Sequence, residues 1–175
     1  HEDRCYHCKK SIMTMVKRVA KENGFEIVCD GKNTDDTKVY RPGNKATKEL
    51  GIISPLEECG FSKKEIRENA KKLGISFWNK PSNSCLATRF PYNTILTNEN
   101  LKKVELAEEI IKDLGIPTTR VRAHNEIARI EIAKEYFELI LKNPQIVDEI
   151  KKLGFQYVTL DLSGMKNGKF DINKN

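Results

Sequence analysis

The sequence predicts an α/β protein: part of an α/β layer over residues 1–80, a connector over 81–97, and a small α+β domain over 98–175. Three observations predict it. A helical apolar stripe is followed by a short apolar run and a polar loop near the start. Periodicity then lapses around two prolines. Beyond the lapse, helical and strand periods return in the order helix, strand, strand, helices, strand.

Lys9 to Asn23 carries Ile12, Val16, Val19 and Ala20 at helical spacing and stops at Gly24. Phe25 to Cys29 reads as a short buried strand. It leads into the polar loop Asp30-Gly31-Lys32-Asn33-Thr34-Asp35-Asp36, at a strand's C-terminal end, where open α/β sheets bind ligands. Arg41-Pro42-Gly43 breaks the chain before a short helix ending near Leu50. Ser62 and Glu65 form a capping box for a helix striped by Ile66, Ala70 and Leu73 and stopped at Gly74. Phe77 and Trp78 read as core residues.

From Asn79 to Tyr92 two prolines and many small polar residues leave no sustained period, which marks a connector holding Cys85 and Arg89. Leu101 to Leu114 is then a helix with Val104, Ala107, Ile111 and Leu114 inward. Thr118 to His124 and Ile127 to Ile132 alternate as strands, with Ile130 and Ile132 opposite Arg129 and Glu131. Tyr136 to Leu141 and Ile146 to Leu153 are helical, and Phe155 to Leu162 closes as a strand.

Of the 175 residues 38% are hydrophobic and 32% charged, and no apolar run approaches the roughly 18 residues of a membrane span. No basic-then-apolar leader opens the chain, so a soluble cytoplasmic protein is expected. The abrupt start at His1 reads as a fragment or a processed chain. The net charge of +6 comes from lysines spread over helix surfaces, a solvated face rather than a nucleic-acid groove. Arg89, Arg120 and Arg122 stand apart, placed in loops or strands where a planar fork can grip phosphate or carboxylate.

The five cysteines are odd in number, which favours thiols or ligands over a disulfide framework. Cys29 and Cys59 read as small buried apolar residues. Cys5-Tyr6-His7-Cys8 is a CxxC ahead of a helix, whose N-terminus would favour Cys8 as thiolate. Structural zinc would want two further soft ligands. Joined by Cys85, the pair gives three thiolates, which can hold a [4Fe–4S] cluster with one iron open. Cluster, zinc with another ligand and unrelated thiols all stay open on the residues alone. Arg120 and Arg122 point to one strand face, as residues two apart do, and Glu131 stands by either as a site partner or as their counterion. His7 and His124 show no clear partner and receive no role.

Arg4-Cys5-Tyr6-His7-Cys8-Lys9, Asp30-Gly31-x-Asn33-x-Asp35-Asp36, Tyr40-Arg41-Pro42-Gly43, Ser54-Pro55-Leu56 and Lys80-Pro81-x-x-x-Cys85-Leu86-Ala87-Thr88-Arg89 follow in order. With Arg120-x-Arg122 and the run Tyr157 to Leu162, they resemble successive blocks of the LarE family over nearly the whole chain. The resemblance implies the remainder of a PP-loop ATP pyrophosphatase layer (adenine nucleotide alpha hydrolase-like), then a small substrate or oligomerisation domain. It implies an ATP-dependent sulfur transferase, with ATP and magnesium as cofactors of the full-length enzyme. The carboxylate of pyridinium-3,5-biscarboxylic acid mononucleotide is adenylylated and then receives sulfur, on the way to a nickel-pincer cofactor.

On the same resemblance Cys5, Cys8 and Cys85 hold the cluster, and Cys85 and Arg89 belong to the catalytic loop. Thr88, Arg120, Arg122 and Glu131 meet the substrate, and Asp30, Asn33, Asp35 and Asp36 lie on the nucleotide side. The partner expected is a small mononucleotide, with neither membrane nor nucleic acid, in a homo-oligomer. The family's SGGxDS pyrophosphate loop occurs nowhere in these residues, so ATP chemistry is not expected of them alone. A PP-loop tRNA thiolase and a non-catalytic zinc-stabilised domain are the competing readings.

Overall fold

The computed structural model describes residues 2–38, 41–80 and 83–165. Tyr40 and Pro81, members of the motifs above, lie outside the described residues. The chain is mixed α/β and divides into two compact units, His1–Lys80 and Pro81–Asn175.

In the first unit helix α1 spans Arg4–Glu22, α2 Gly43–Glu49, α3 Pro55–Glu58 and α4 Lys63–Lys72. α1 starts five residues earlier than its apolar stripe predicts, so the CxxC lies inside its first two turns rather than ahead of it. It packs on α2 through polar contacts. Lys10 Nζ donates to Tyr6 Oη and to Glu49, each at 2.8 Å, and the Tyr6 hydroxyl donates to Glu49 at 2.7 Å. The predicted apolar stripe is not buried: Ile12 is 50% and Val19 49% exposed. The flank that meets α2 is the one bearing Tyr6, Lys10 and Lys17, and no described element covers the apolar one.

The expected strand Phe25 to Cys29 is a correction of the same kind. Only a single parallel bridge joins Cys29 to Ile53, through Asp30 N–H to Ile53 O and Ile53 N–H to Val28 O. A strand needs a continuous neighbour to satisfy its backbone, and here the neighbour is one residue long. Phe25 is 67% exposed, and Cys29 and Cys59 are exposed rather than buried. Phe77 is also exposed and Trp78 only half-buried, so neither is core.

The predicted capping box is present: Ser62 Oγ accepts from Glu65 N–H, and the Glu65 carboxylate accepts from Ser62 N–H at 2.8 Å. That satisfies two of the amides a helix start leaves open. Gly24 and Gly74 follow α1 and α4 with φ of 79° and 72°, the left-handed geometry of a glycine helix stop.

The main hydrophobic core belongs to the second unit. Helix α5 spans Asn98–Asp113, strands β1 and β2 span Thr119–His124 and Ile127–Ile132, helices α6 and α7 span Phe137–Leu141 and Gln145–Lys152, and β3 spans Tyr157–Leu160. The sheet order is β1-β2-β3, antiparallel between β1 and β2 and parallel between β2 and β3. Asn125 turns the β1–β2 hairpin with φ 53°, a conformation asparagine tolerates. Val121, Ala123, Ala128, Ile130 and Ile132 share one sheet face with Val104, Ala107 and Ile111 of α5 and Ile146 and Ile150 of α7 in the core. Among the described residues no helix is long and apolar enough to cross a membrane.

Candidate functional site

Strand alternation that sends Val121 and Ala123 inward sends Arg120, Arg122 and His124 to the other face of the sheet. The β1–β2 register sets Arg120 opposite Glu131 and Arg122 opposite Arg129, so β2 adds a carboxylate and a guanidinium to that face. Arg122 Nε lies 3.2 Å from Glu131, Arg129 Nη2 lies 3.0 Å from it, and Arg129 Nε lies 3.6 Å from Asp161. Glu131 is fully buried and Arg122 nearly so. The ion-pair role open to Glu131 in the sequence is thus taken up by Arg122 and Arg129.

The segment around Cys85 runs along the open edge of β1. Leu86–Arg89 forms a 3-10 turn, with Cys85 as its N-cap and its thiol exposed. Arg89 is 3% exposed and grips Glu108 of α5 with both prongs, Nε to Oε1 at 2.6 Å and Nη2 to Oε2 at 3.1 Å. Its remaining nitrogen, Nη1, donates to Ser84 Oγ at 2.6 Å and Thr88 Oγ1 at 3.0 Å. Glu108 also accepts the Val121 N–H at 3.0 Å, and Arg122 Nη1 donates to the Thr88 carbonyl at 2.7 Å. The Thr88 hydroxyl donates to the Cys85 carbonyl at 2.7 Å. The second unit therefore brings together Cys85, Thr88, Arg89, Arg120, Arg122 and Glu131. Glu108, absent from the sequence reading, completes the set. Its signal was a carboxylate on the apolar stripe of a helix, four residues after Val104 and three before Ile111.

Electrostatics follow from this crowding. Burial lowers the pKa of Arg120, and the nearby Arg89 adds to it; burial lowers that of Arg122, against the pull of Glu131. His124 is held below its ordinary value by burial first, then by Arg129 and Arg122.

In the first unit Cys5 and Cys8 lie at i and i+3 in α1, near neighbours on the helix surface with both thiols exposed. Cys5, in the first turn, feels the open amides of the helix start more directly than Cys8. The donor chemistry fits a soft metal or cluster in kind: two exposed thiols here and one at Cys85 in the second unit. No group of three or more metal-ligating side chains is gathered among the described residues.

The polar loop is tightly hydrogen-bonded. Asp30 accepts from Ser54 Oγ at 2.8 Å, and Asn33 and Asp36 form a reciprocal cap on Thr34–Thr37. Asp35 accepts the Lys63 N–H at 2.9 Å, which with Lys38 lowers its pKa. Asp36 pairs with Arg41 at 2.9 Å. Asp30 and Asp36 also line a cleft of about 230 Å³ with Lys9, Lys32, Arg41 and Asn44, while Asn33 and Asp35 serve the loop itself.

No family model matches the chain. It is 40% identical over 170 residues to pyridinium-3,5-bisthiocarboxylic acid mononucleotide synthase of Lactiplantibacillus plantarum, covering 97% of this chain and 62% of that protein. An uncharacterized protein of Synechocystis is 40% identical over 97% of this chain and 65% of its own length. One of Methanocaldococcus jannaschii is 35% identical over 91% and 63% respectively. The chain spans less than two thirds of the length of each of these relatives.

Two outcomes are expected. Glu108→Ala leaves a buried guanidinium without its counterion and should cost about 3–5 kcal/mol, while Arg89→Met with Glu108→Leu should recover most of that. Denaturant unfolding of the second unit checks both, and a single variant as stable as wild type would contradict the pairing. His124, depressed below the 6.5 of a free histidine, leaves the unfolded chain holding more protons as pH falls through 6.5. Stability should therefore drop on that acid side and be retained above it. The melting temperature of His124→Gln should vary less with pH across that window, and an unchanged pH profile would refute the assignment.

Proposed function

We propose that this chain is part of an ATP-dependent sulfurtransferase of the LarE type. Its substrate would be adenylylated pyridinium-3,5-biscarboxylic acid mononucleotide, on the way to a nickel-pincer cofactor. The observation that carries the reading is the join between the Cys85 loop and the arginine strand, made by Arg89–Glu108 and by Arg122 to the Thr88 carbonyl. Similarity to a synthase named for the bisthiocarboxylic mononucleotide supports the same chemistry.

A carboxylate resists nucleophiles, so a carboxylate oxygen of the substrate first displaces pyrophosphate from ATP and becomes an acyl-adenylate. A sulfur nucleophile then adds to the acyl carbon, the tetrahedral oxyanion collapses, and AMP leaves with the C–O electron pair. Arginines beside the acyl carbon and the substrate phosphate stabilise the negative charge at each stage. Arg120 and Arg122 are the candidates for the phosphate. We read Arg89 as a positioning residue, its guanidinium being committed to Glu108, Ser84 and Thr88. The loop Asp30 to Asp36 and the PP-loop layer belong to the nucleotide half of the reaction. Cys5, Cys8 and Cys85 are the residues that would hold a [4Fe–4S] cluster, on the strength of the resemblance and of three exposed thiols. Such a cluster, when bound, supplies an open iron that carries sulfide.

In calorimetry on the chain, Arg120→Ala should weaken the pyridinium mononucleotide about ten- to a hundredfold, the loss of one charge-assisted phosphate contact. Arg122→Ala should lose affinity and stability together, since Arg122 also holds Thr88 and Glu131. Unchanged affinity in both variants would defeat the phosphate role, and tight tRNA binding lost in both would favour a tRNA thiolase instead. For the cluster, anaerobic reconstitution should load iron and sulfide into wild type, Cys29→Ala and Cys59→Ala. Cys5→Ala, Cys8→Ala and Cys85→Ala should load far less, and full loading of Cys85→Ala would rule out the three-thiolate set.

A further inference from the structure

The second unit carries a pocket on the side of the sheet opposite the arginine face. It measures about 260 Å³ and is lined by Phe90, Phe155, Ala123, Lys103, Asn100 and Asn125 among others. Ala123 belongs to the apolar face of β1, and Phe90 and Phe155 are buried, so the floor is apolar.

Lys103 is the informative member. Its Nζ donates to the Gly154 carbonyl at 2.6 Å and stands 3.9 Å from the centroid of the Phe155 ring. Among the described residues no carboxylate lies within ion-pair distance of it. Burial holds its ammonium below the ordinary lysine pKa, against the fields of Glu99 and Glu126. Gly154 turns the chain there with φ 94°, a conformation that a side chain would strain. A cation fixed over an aromatic face, beside an apolar floor and two amides, is the arrangement of a small-molecule site rather than of a solvated lysine.

We propose that this pocket binds a small carboxylate with a flat apolar body, the carboxylate on Lys103 and the body between Phe90 and Phe155. The volume falls below the roughly 300–1,000 Å³ of drug-sized pockets, which limits the ligand to a single ring or its equivalent. The amides of Asn100 and Asn125 offer donors to the second carboxylate oxygen. The proposal does not depend on sulfur transfer, because Arg120 and Arg122 point to the other face of the sheet.

The test uses benzoate as the probe, titrated into the isotope-labelled chain at neutral pH and followed by amide shifts. Benzoate should saturate, with shifts centred on residues 90, 103, 123, 125 and 155. Benzamide, equal in shape but neutral, should bind at least tenfold more weakly, and inorganic phosphate should not displace benzoate. Lys103→Met, which keeps the apolar stem over Phe155, should lose benzoate at least tenfold, and Arg120→Ala should keep it. Benzamide binding as well as benzoate, displacement by phosphate, or no saturable benzoate binding to the folded wild-type chain would each overturn the proposal. The wild-type ligand series decides the matter even if Lys103→Met fails to fold.

Discussion

Arg89 and Glu108 are both almost fully removed from water, and their bidentate pairing is the interaction around which the second unit is arranged. Burying a guanidinium and a carboxylate is costly, and their mutual attraction repays it only when the geometry is close and the remaining polar atoms are satisfied. Here they are satisfied in specific places. Glu108 takes the outward N–H of Val121, a backbone donor that an edge strand would otherwise leave open, and Arg89 gathers Ser84 and Thr88. One pair therefore fixes a helix, a strand edge and the loop that presents Cys85. A hydrophobic pair could hold α5 against β1, but it could not orient that loop.

The sheet extends the same logic to its two faces. Aliphatic side chains of β1 and β2 close over α5 and α7 to form the core of the unit. On the other face the register sets Arg120 against Glu131 and Arg122 against Arg129, which concentrates charge there. The two functions stay separate because strand alternation assigns each residue to one face. The arginine face and the Lys103 pocket therefore lie on opposite sides of the sheet.

Most of the second unit was legible in the sequence, and the first unit much less so. Leu101 to Leu114, Ile127 to Ile132 and the Ser62–Glu65 cap are local signals, and the elements formed within a few residues of the expected bounds. Phe25 to Cys29 failed because an apolar run says a strand is wanted, not that a neighbour exists to pair with it. The Ile12 stripe failed likewise: periodicity identifies a face, while burial requires a partner for it. The Pro55–Glu58 turn of helix was missed because four residues carry no period. Within the candidate site, Arg120, Arg122 and Cys85 were named from chemistry. The burial of Arg89 was invisible, because it depends on Glu108 nineteen residues away.

The charge of this face bears on which partner suits it. Arg89, Arg120, Arg122 and Arg129 lie close to the carboxylates Glu108, Glu131 and Asp161. The burial of Arg89, Arg122, Glu108 and Glu131 strengthens the charge interactions they make. A nucleic-acid strand asks for something else: exposed cations spread along a groove, with aromatic rings for the bases to stack on. Arg89 and Arg122, at 3% exposure each, cannot reach out to a backbone of that kind. Arg89 is given over to Glu108, Ser84 and Thr88, so the phosphate role proposed above rests on the strand arginines.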